Sequence, residues 1–384
     1  MLSRERACLV MADVSGYTGY LTGSELEHAQ DVLADLFETV VGALRPVLRL
    51  AKLEGDAAFM YALEAKIDGS MLLDTVEGCY FAFQRRLRSI RQATTCQCNA
   101  CVLIPNLNLK FVVHHGEFVR QRIAGREELA GTDVIVVHRL LKNSVAEKFN
   151  LNGYALFSAA CIAAMGIDVG ALEMREHHES YEHIGDVMVY MHDLEARWKH
   201  EREHRRVIVE PGNVEASVDV SLPAPPPVAW ENLTDPQKRV LWQVGTDRVD
   251  QTNAGGRRGI GTTNHCVHGH GVIVEEILDW RPFDYYTIQA NVPGFGPMRY
   301  TYVLTPAGSG TALQFRMEKV RNRKQQKAWQ VMRDQFASMM DTWFARLAKL
   351  LGEDMASREP DTTSISKHDL HTQPTPEPAP PHAH

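Results

Sequence analysis

The apolar positions of the first half of the chain alternate between strand-like and helix-like patterns. Ala7-Cys8-Leu9-Val10-Met11-Ala12 is a short unbroken apolar run, the signature of a strand buried on both faces, and it stops at Asp13-Val14-Ser15-Gly16. Behind Ser24-Glu25-Leu26-Glu27, which reads as a capping box, Leu26, Ala29, Leu33, Leu36, Phe37, Val40, Val41 and Leu44 recur at helical spacing until Pro46. Residues 48–61 then read as a β-hairpin with Gly55-Asp56 at its tip. A second helix is predicted over 75–90, with Phe and Tyr on one side and a solvated Arg face on the other. Residues 107–118 read as a central strand, and 153–165 and 184–190 as further strands with a short helix. The order βαββαβ predicts a ferredoxin-like α+β domain with its helices on one sheet face.

The pattern changes after Asp193. Residues 193–206 are almost wholly charged and read as a solvated helix or linker. Val214 to Val220 alternates with period two, and Pro223 to Pro227 ends it. A short helical region follows, then strands over 264–267, 271–279, 285–291, 299–305 and 311–319 separated by Gly/Pro turns. The last element is a long amphipathic helix with Val331, Phe336, Met339, Met340, Trp343, Phe344, Leu347 and Leu351 on its apolar side. The expected organisation is a first domain over 1–195, a charged linker over 196–211, a second domain over 212–353, and a Pro-, Thr- and His-rich disordered tail over 354–384.

Composition narrows the function classes. The 384 residues, 44% hydrophobic and 23% charged, are globular values for two or three domains. A net charge of -7 argues against a generic nucleic-acid binder. The start of the chain lacks the basic-then-apolar pattern of a secretory signal, and the longest nearly uncharged run, 154–167, is too short to span a bilayer. Seven cysteines, an odd number, fit a reducing compartment. The expectation is a cytoplasmic protein with no nucleic-acid or membrane partner.

If the first strand lies beside the hairpin, Asp13 and Asp56 converge. Two carboxylates on neighbouring strand ends suit Mg²⁺, which takes one or two carboxylates plus substrate phosphates. At this point the chain resembles a known family. Ala12-Asp13-Val14-Ser15-Gly16-Tyr17-Thr18, followed by Lys52-Leu53-Glu54-Gly55-Asp56-Ala57, is similar to the catalytic domain of class III adenylyl/guanylyl cyclases. The resemblance implies metal-binding roles for Asp13 and Asp56, with Mg²⁺ or Mn²⁺, and an adenine-reading role for Lys52. Aligned on Gly131, it implies that Glu128 is the second adenine-reading residue and that Arg139 stabilises the transferring phosphoryl group. It also implies a nucleoside triphosphate substrate and a homodimer. Ile135 stands where the family carries an Asn, so either His138 or Asn143 substitutes for it, or the domain binds nucleotide without cyclising it.

Two further features bear on chemistry. Cys96, Cys98 and Cys101 can chelate Zn²⁺ if Cys79, His114 or His115 supplies a fourth ligand; the competing reading is a loop of reduced thiols. Residues 212–352 resemble the START/polyketide-cyclase-like helix-grip fold, on the Pro226–Trp230 segment and the Trp280-Arg281-Pro282-Phe283 turn. That resemblance implies an apolar cavity for a small ligand between a curved sheet and the last helix. Trp242, Trp280, Tyr300, Met317, Met340, Trp343 and Phe344 are the candidate wall residues.

Overall fold

A computed structural model describes residues 4–93, 98–123, 125–253, 255–292 and 295–358. The first part contains strands β1 (Arg4–Ser15), β2 (Arg49–Glu54), β3 (Ala57–Leu63), β4 (Asn108–Ile123), β5 (Arg126–Ala130), β6 (Tyr154–Ser158), β7 (Arg175–Tyr181) and β8 (Gly185–Asp193). Its helices are α1 (Tyr17–Gly23), α2 (Leu26–Leu44), α3 (Gly69–Ala93), α4 (Asn99–Leu103), α5 (Thr132–Leu140), α6 (Val145–Phe149), α7 (Ala159–Met165) and α8 (Leu194–Glu203). The sheet order is β2-β3-β1-β4-β6-β8-β7, with β5 paired to β4; only β4 and β6 run parallel. The first four strands have the order expected of a ferredoxin-like core, with β1 buried in the centre between β3 and β4.

The strand pleat divides the core. Cys8, Val10 and Ala12 of β1 join the cluster under α2 and α3, whereas Ala7, Leu9 and Met11 join a second cluster with Val134, Val137 and Leu140 of α5. Both sheet faces are therefore covered, not one as predicted. The capping box also reads differently: Glu25 sits at the N-cap of α2 with no side-chain cap bond, and its carboxylate instead accepts the N–H groups of Asn99 and Ala100 at the start of α4.

The second part contains β9 (Val214–Leu222), α9 (Pro226–Thr234), α10 (Pro236–Trp242), β10 (Arg248–Thr252), β11 (Thr263–His268), β12 (Gly271–Arg281), β13 (Tyr285–Val292), β14 (Gly296–Ala307), β15 (Gly310–Glu318) and α11 (Arg323–Ser357). Its wholly antiparallel sheet has the order β10-β11-β12-β13-β14-β15-β9, and α11 packs across it. Met340, Phe344, Leu347 and Leu351 form the buried side of α11. Val331 is 84% exposed and lies off the apolar seam, which the earlier turns continue through Trp329 and Phe336. The helix reaches Ser357, a few residues past the expected domain end, and the remainder of the predicted tail lies outside the described residues.

The charged stretch after β8 is not a free linker. Glu201 of α8 takes the Arg281 guanidinium, Val207 N–H donates to Asp279, and Val209 N–H donates to Thr301. The two sheets also meet through buried charges on α3. Asp74 accepts the indole N–H groups of Trp230 and Trp280, each at 3.2 Å, and pairs with Arg257, whose guanidinium also lies 2.9 Å from Glu77. Glu77 further accepts from His192 at 2.8 Å and Arg197 at 3.1 Å. Arg258 bridges Asp68 and Asp235 beside them.

Candidate functional site

The β1–β3 register builds the acidic site. Asp13 pairs with Ala57, and Val14 N–H donates to the Asp56 carbonyl at 2.9 Å, so the last residue of the hairpin tip lies next to the end of β1. Gly55, at φ +62°, supplies the turn that a side chain would strain. Burial, and then the charge of Asp13, push the Asp56 carboxyl above the usual carboxylate range. Asp56 has no ion-pair partner among the described residues. The donor set, two hard carboxylates, fits Mg²⁺ or Mn²⁺. One side chain contests the site: Lys110, which faces Asp13 across the β1–β4 ladder, holds Nζ 3.0 Å from Asp13 Oδ2.

Lys52 and Glu128 do come together, with Lys52 Nζ 3.4 Å from Glu128. The hairpin contributes a third member, because Glu54 lies 2.7 Å from the same ammonium. Burial favours the neutral amine, but the hydrogen bond and charge of Glu54, and then Glu128, outweigh it and hold the Lys52 pKa above its ordinary value. Glu54 also meets His138 Nε2 at 2.9 Å. A chain of contacts, His138–Glu54–Lys52–Glu128, thus ties α5 to β2 and β5. Glu54 was visible in the sequence only as a hairpin residue; alternation places it but does not reveal its partners.

Arg139 is exposed on α5 and has no ion-pair partner among the described residues. Ile135, one turn earlier on the same helix, is 54% exposed. Neither suggested replacement for the missing Asn is free. His138 is engaged by Glu54 and by the Val134 carbonyl. Asn143 donates to the Leu140 carbonyl and accepts from Val145 N–H and the Tyr154 hydroxyl.

Of the cysteine-loop residues, Cys96 lies outside the described residues, while Cys98 and Cys101 have their sulfurs 3.5 Å apart. The suggested fourth ligands sit elsewhere. Cys79 is buried against the Val40 carbonyl, His114 bonds Ser158 and Asp133, and His115 faces Glu64. The side chain that does meet these sulfurs is His28 of α2, which no local sequence pattern singles out.

In the second sheet the aromatic candidates largely pack on one another. Trp242 stacks on Phe344 and meets Trp343 edge-on, each at 6.1 Å, and Tyr300 stacks on Phe315 at 5.6 Å. Met317 and Met340 are buried in the same cluster. Trp280 is the exception: its indole N–H points to Asp74 of α3, so it belongs to the seam between the sheets and not to a cavity wall under α11.

Comparisons with known proteins add the following. Residues 33–149 match a family described as Protein of unknown function (DUF2652), and residues 213–352 match the family Polyketide cyclase / dehydrase and lipid transport. The Uncharacterized protein Rv2561/Rv2562 of Mycobacterium tuberculosis is 34% identical over 162 residues, 42% of this chain and 73% of that protein. Among solved structures, the N-terminal half is similar to the guanylyl cyclase Cya2 (TM-score 0.38, 15% identity, 50% of this chain and 92% of that one). The adenylyl cyclase CyaB from P. aeruginosa gives a TM-score of 0.38 at 14% identity, covering 50% of this chain and 95% of that one. Protein MLL2253 from Mesorhizobium loti gives a TM-score of 0.30 at 21% identity, covering 36% of this chain and 96% of that one. No helix among the described residues is long and apolar enough to cross a membrane.

Proposed function

We propose that this chain, which belongs to the family of the mycobacterial protein Rv2561/Rv2562, is a divergent nucleotidyl cyclase that converts ATP to cyclic AMP and pyrophosphate. Its C-terminal domain is the sensor of a small apolar ligand. The observation that carries the reading is the strand register that sets Asp13 beside the hairpin tip, with the Asp56 carboxyl pushed up by burial and then by the Asp13 charge. Divalent cations held there would neutralise the triphosphate and favour ionisation of the attacking 3′-hydroxyl. Lys52 donates to adenine N1 and Glu128 accepts from the exocyclic amine, a polarity that complements adenine and not guanine. Arg139 supplies positive charge where it develops on the transferring phosphoryl group. Its exposure suits a site completed across a two-fold interface, so the active form is a homodimer. The C-terminal reading is supported by the family model over 213–352 and by the aromatic cluster between α11 and the sheet, which a small apolar molecule could part.

A second reading has its own support. Exposed Ile135, the engaged side chains of His138 and Asn143, and Lys110 against Asp13 favour a domain that binds nucleotide without turning it over. One experiment separates the two: purified protein is incubated with MgATP or MnATP, cyclic AMP is quantified, and ATP binding is measured calorimetrically on the same sample. The first reading expects product from the wild type and none from Asp56→Ala. Binding without product supports the second, and neither binding nor product removes both.

A further inference from the structure

We propose that His28, Cys98 and Cys101 form a Zn²⁺ site that clamps the segment following α3 onto the corner between α1 and α2. His28 lies 70 and 73 residues before the two cysteines, yet the three ligand atoms all lie within 4.8 Å of one another. Cys98 Sγ is 3.2 Å from His28 Nδ1, Cys101 Sγ is 3.9 Å from it, and the sulfurs are 3.5 Å apart. A tetrahedral zinc with ordinary bond lengths separates two sulfurs by about 3.8 Å and a sulfur from a nitrogen by about 3.6 Å. The observed triangle matches those edges, and the sulfur separation is far longer than a disulfide's ~2.05 Å.

The surroundings suit a thiolate-bound cation. Cys98-Asn99-Ala100-Cys101 has the Cys-x-x-Cys spacing of zinc knuckles, and Cys101 N–H folds back on the Cys98 carbonyl at 3.1 Å. Tyr20 of α1 is 1% exposed, and its hydroxyl has no hydrogen-bond partner among the described residues. The Glu25 carboxylate accepts from the Asn99 and Ala100 N–H groups and also meets Cys98, which holds the cysteine segment in place. Two thiolates and one imidazole select zinc over the hard cations suited to Asp13 and Asp56. Water or another donor completes the tetrahedron.

The clamp also bears on the acidic site. A Cβ added at Gly16 would lie 2.4 Å from the Asn106 carbonyl oxygen, so the segment that follows α4 is seated directly against the turn after Asp13. A metal that fixes 98–101 onto α2 therefore holds the buttress of that turn.

The test uses tag-free, full-length protein purified under reducing conditions without chelator. Elemental analysis should find about one zinc per chain. Cobalt exchanged into the site should show the strong visible bands of tetrahedral coordination, together with thiolate-to-cobalt charge transfer. Cys98→Ser and Cys101→Ser should each weaken zinc binding at least tenfold, and His28→Cys, which keeps a soft donor, should retain metal with a stronger thiolate band. Three results would overturn the proposal: folded wild type that takes up neither zinc nor cobalt, uptake unchanged in both serine variants, or an intact mass showing a Cys98–Cys101 disulfide in metal-free protein as purified under the same reducing conditions.

Discussion

Lys110 stands directly opposite Asp13 in the β1–β4 ladder and brings its ammonium to 3.0 Å from Oδ2. A cation built into the wall of a cation site competes with whatever ion the carboxylates hold. At this half-buried position the repulsion between an ammonium and a divalent ion is roughly 1.5–3 kcal/mol. Lys110→Met should therefore tighten Mn²⁺ binding by about tenfold or more. Isothermal titration of both proteins checks this; looser binding in the variant would mean that Lys110 supports the site.

Asp56 carries a stability cost with a definite sign. Its carboxyl is pushed up by burial and by Asp13, so the folded state holds its proton more tightly than the unfolded chain does. Stability is therefore lost as pH rises from the unfolded value, about 3.9, through the raised folded value. Asp56→Asn should raise the thermal midpoint of metal-free protein at pH 7, and the gain should shrink as pH falls toward about 4. Melting curves in chelator over that range test it, and a lower midpoint at pH 7 contradicts it.

His138 is shifted in the same direction, but because its charged form gains a partner. The Glu54 hydrogen bond outweighs burial and raises its pKa above the ordinary imidazole value. The pair's contribution is complete below about pH 6.5 and is lost as pH climbs through the raised folded value. An NMR titration should place His138 above an unperturbed histidine, and Glu54→Gln should bring it down. Unchanged titration in that variant would break the proposed link between α5 and the hairpin.

Arg257 sets the sign of charge in the seam between the sheets. It lies between Asp74 and Glu77, both buried on α3. Glu77 would keep His192 and Arg197 if it were lost, but Asp74 would be left with indole donors and the more distant Arg258. Arg257→Met should cost about 3–5 kcal/mol in chemical denaturation, and adding Asp74→Asn should recover part of it. Additive losses in the double variant would argue against the pairing.

Local chemistry made much of the fold legible. The β2–β3 hairpin announces itself through alternation and a Gly-Asp tip, and β1 through an unbroken apolar run. Besides β5, which pairs only with β4, two strands were missed, β7 (Arg-Glu-His-His-Glu-Ser-Tyr) and β10 (Arg-Val-Asp-Gln-Thr). Each closes one edge of its sheet, where polar side chains are the rule and the apolar signal disappears. The acidic pair was read from its two flanking motifs and the resemblance they carry, and the β1–β3 register sets the two backbones side by side. Lys110, His28 and the role of Glu54 were not, since each contact crosses a separation that periodicity does not encode. Ser24 shows the opposite failure: a sound local motif lost to a tertiary contact, because Glu25 turned to cap α4.

The central claim is that Asp13 and Asp56 hold one divalent-ion site for a nucleotide. Its most direct test is an electron paramagnetic resonance titration of Mn²⁺ into chelator-treated protein with a non-cyclisable ATP analogue present. The account predicts saturable binding by the wild type that Asp13→Asn and Asp56→Asn each weaken at least tenfold. Binding of equal strength in all three proteins, or none in the wild type, would contradict it.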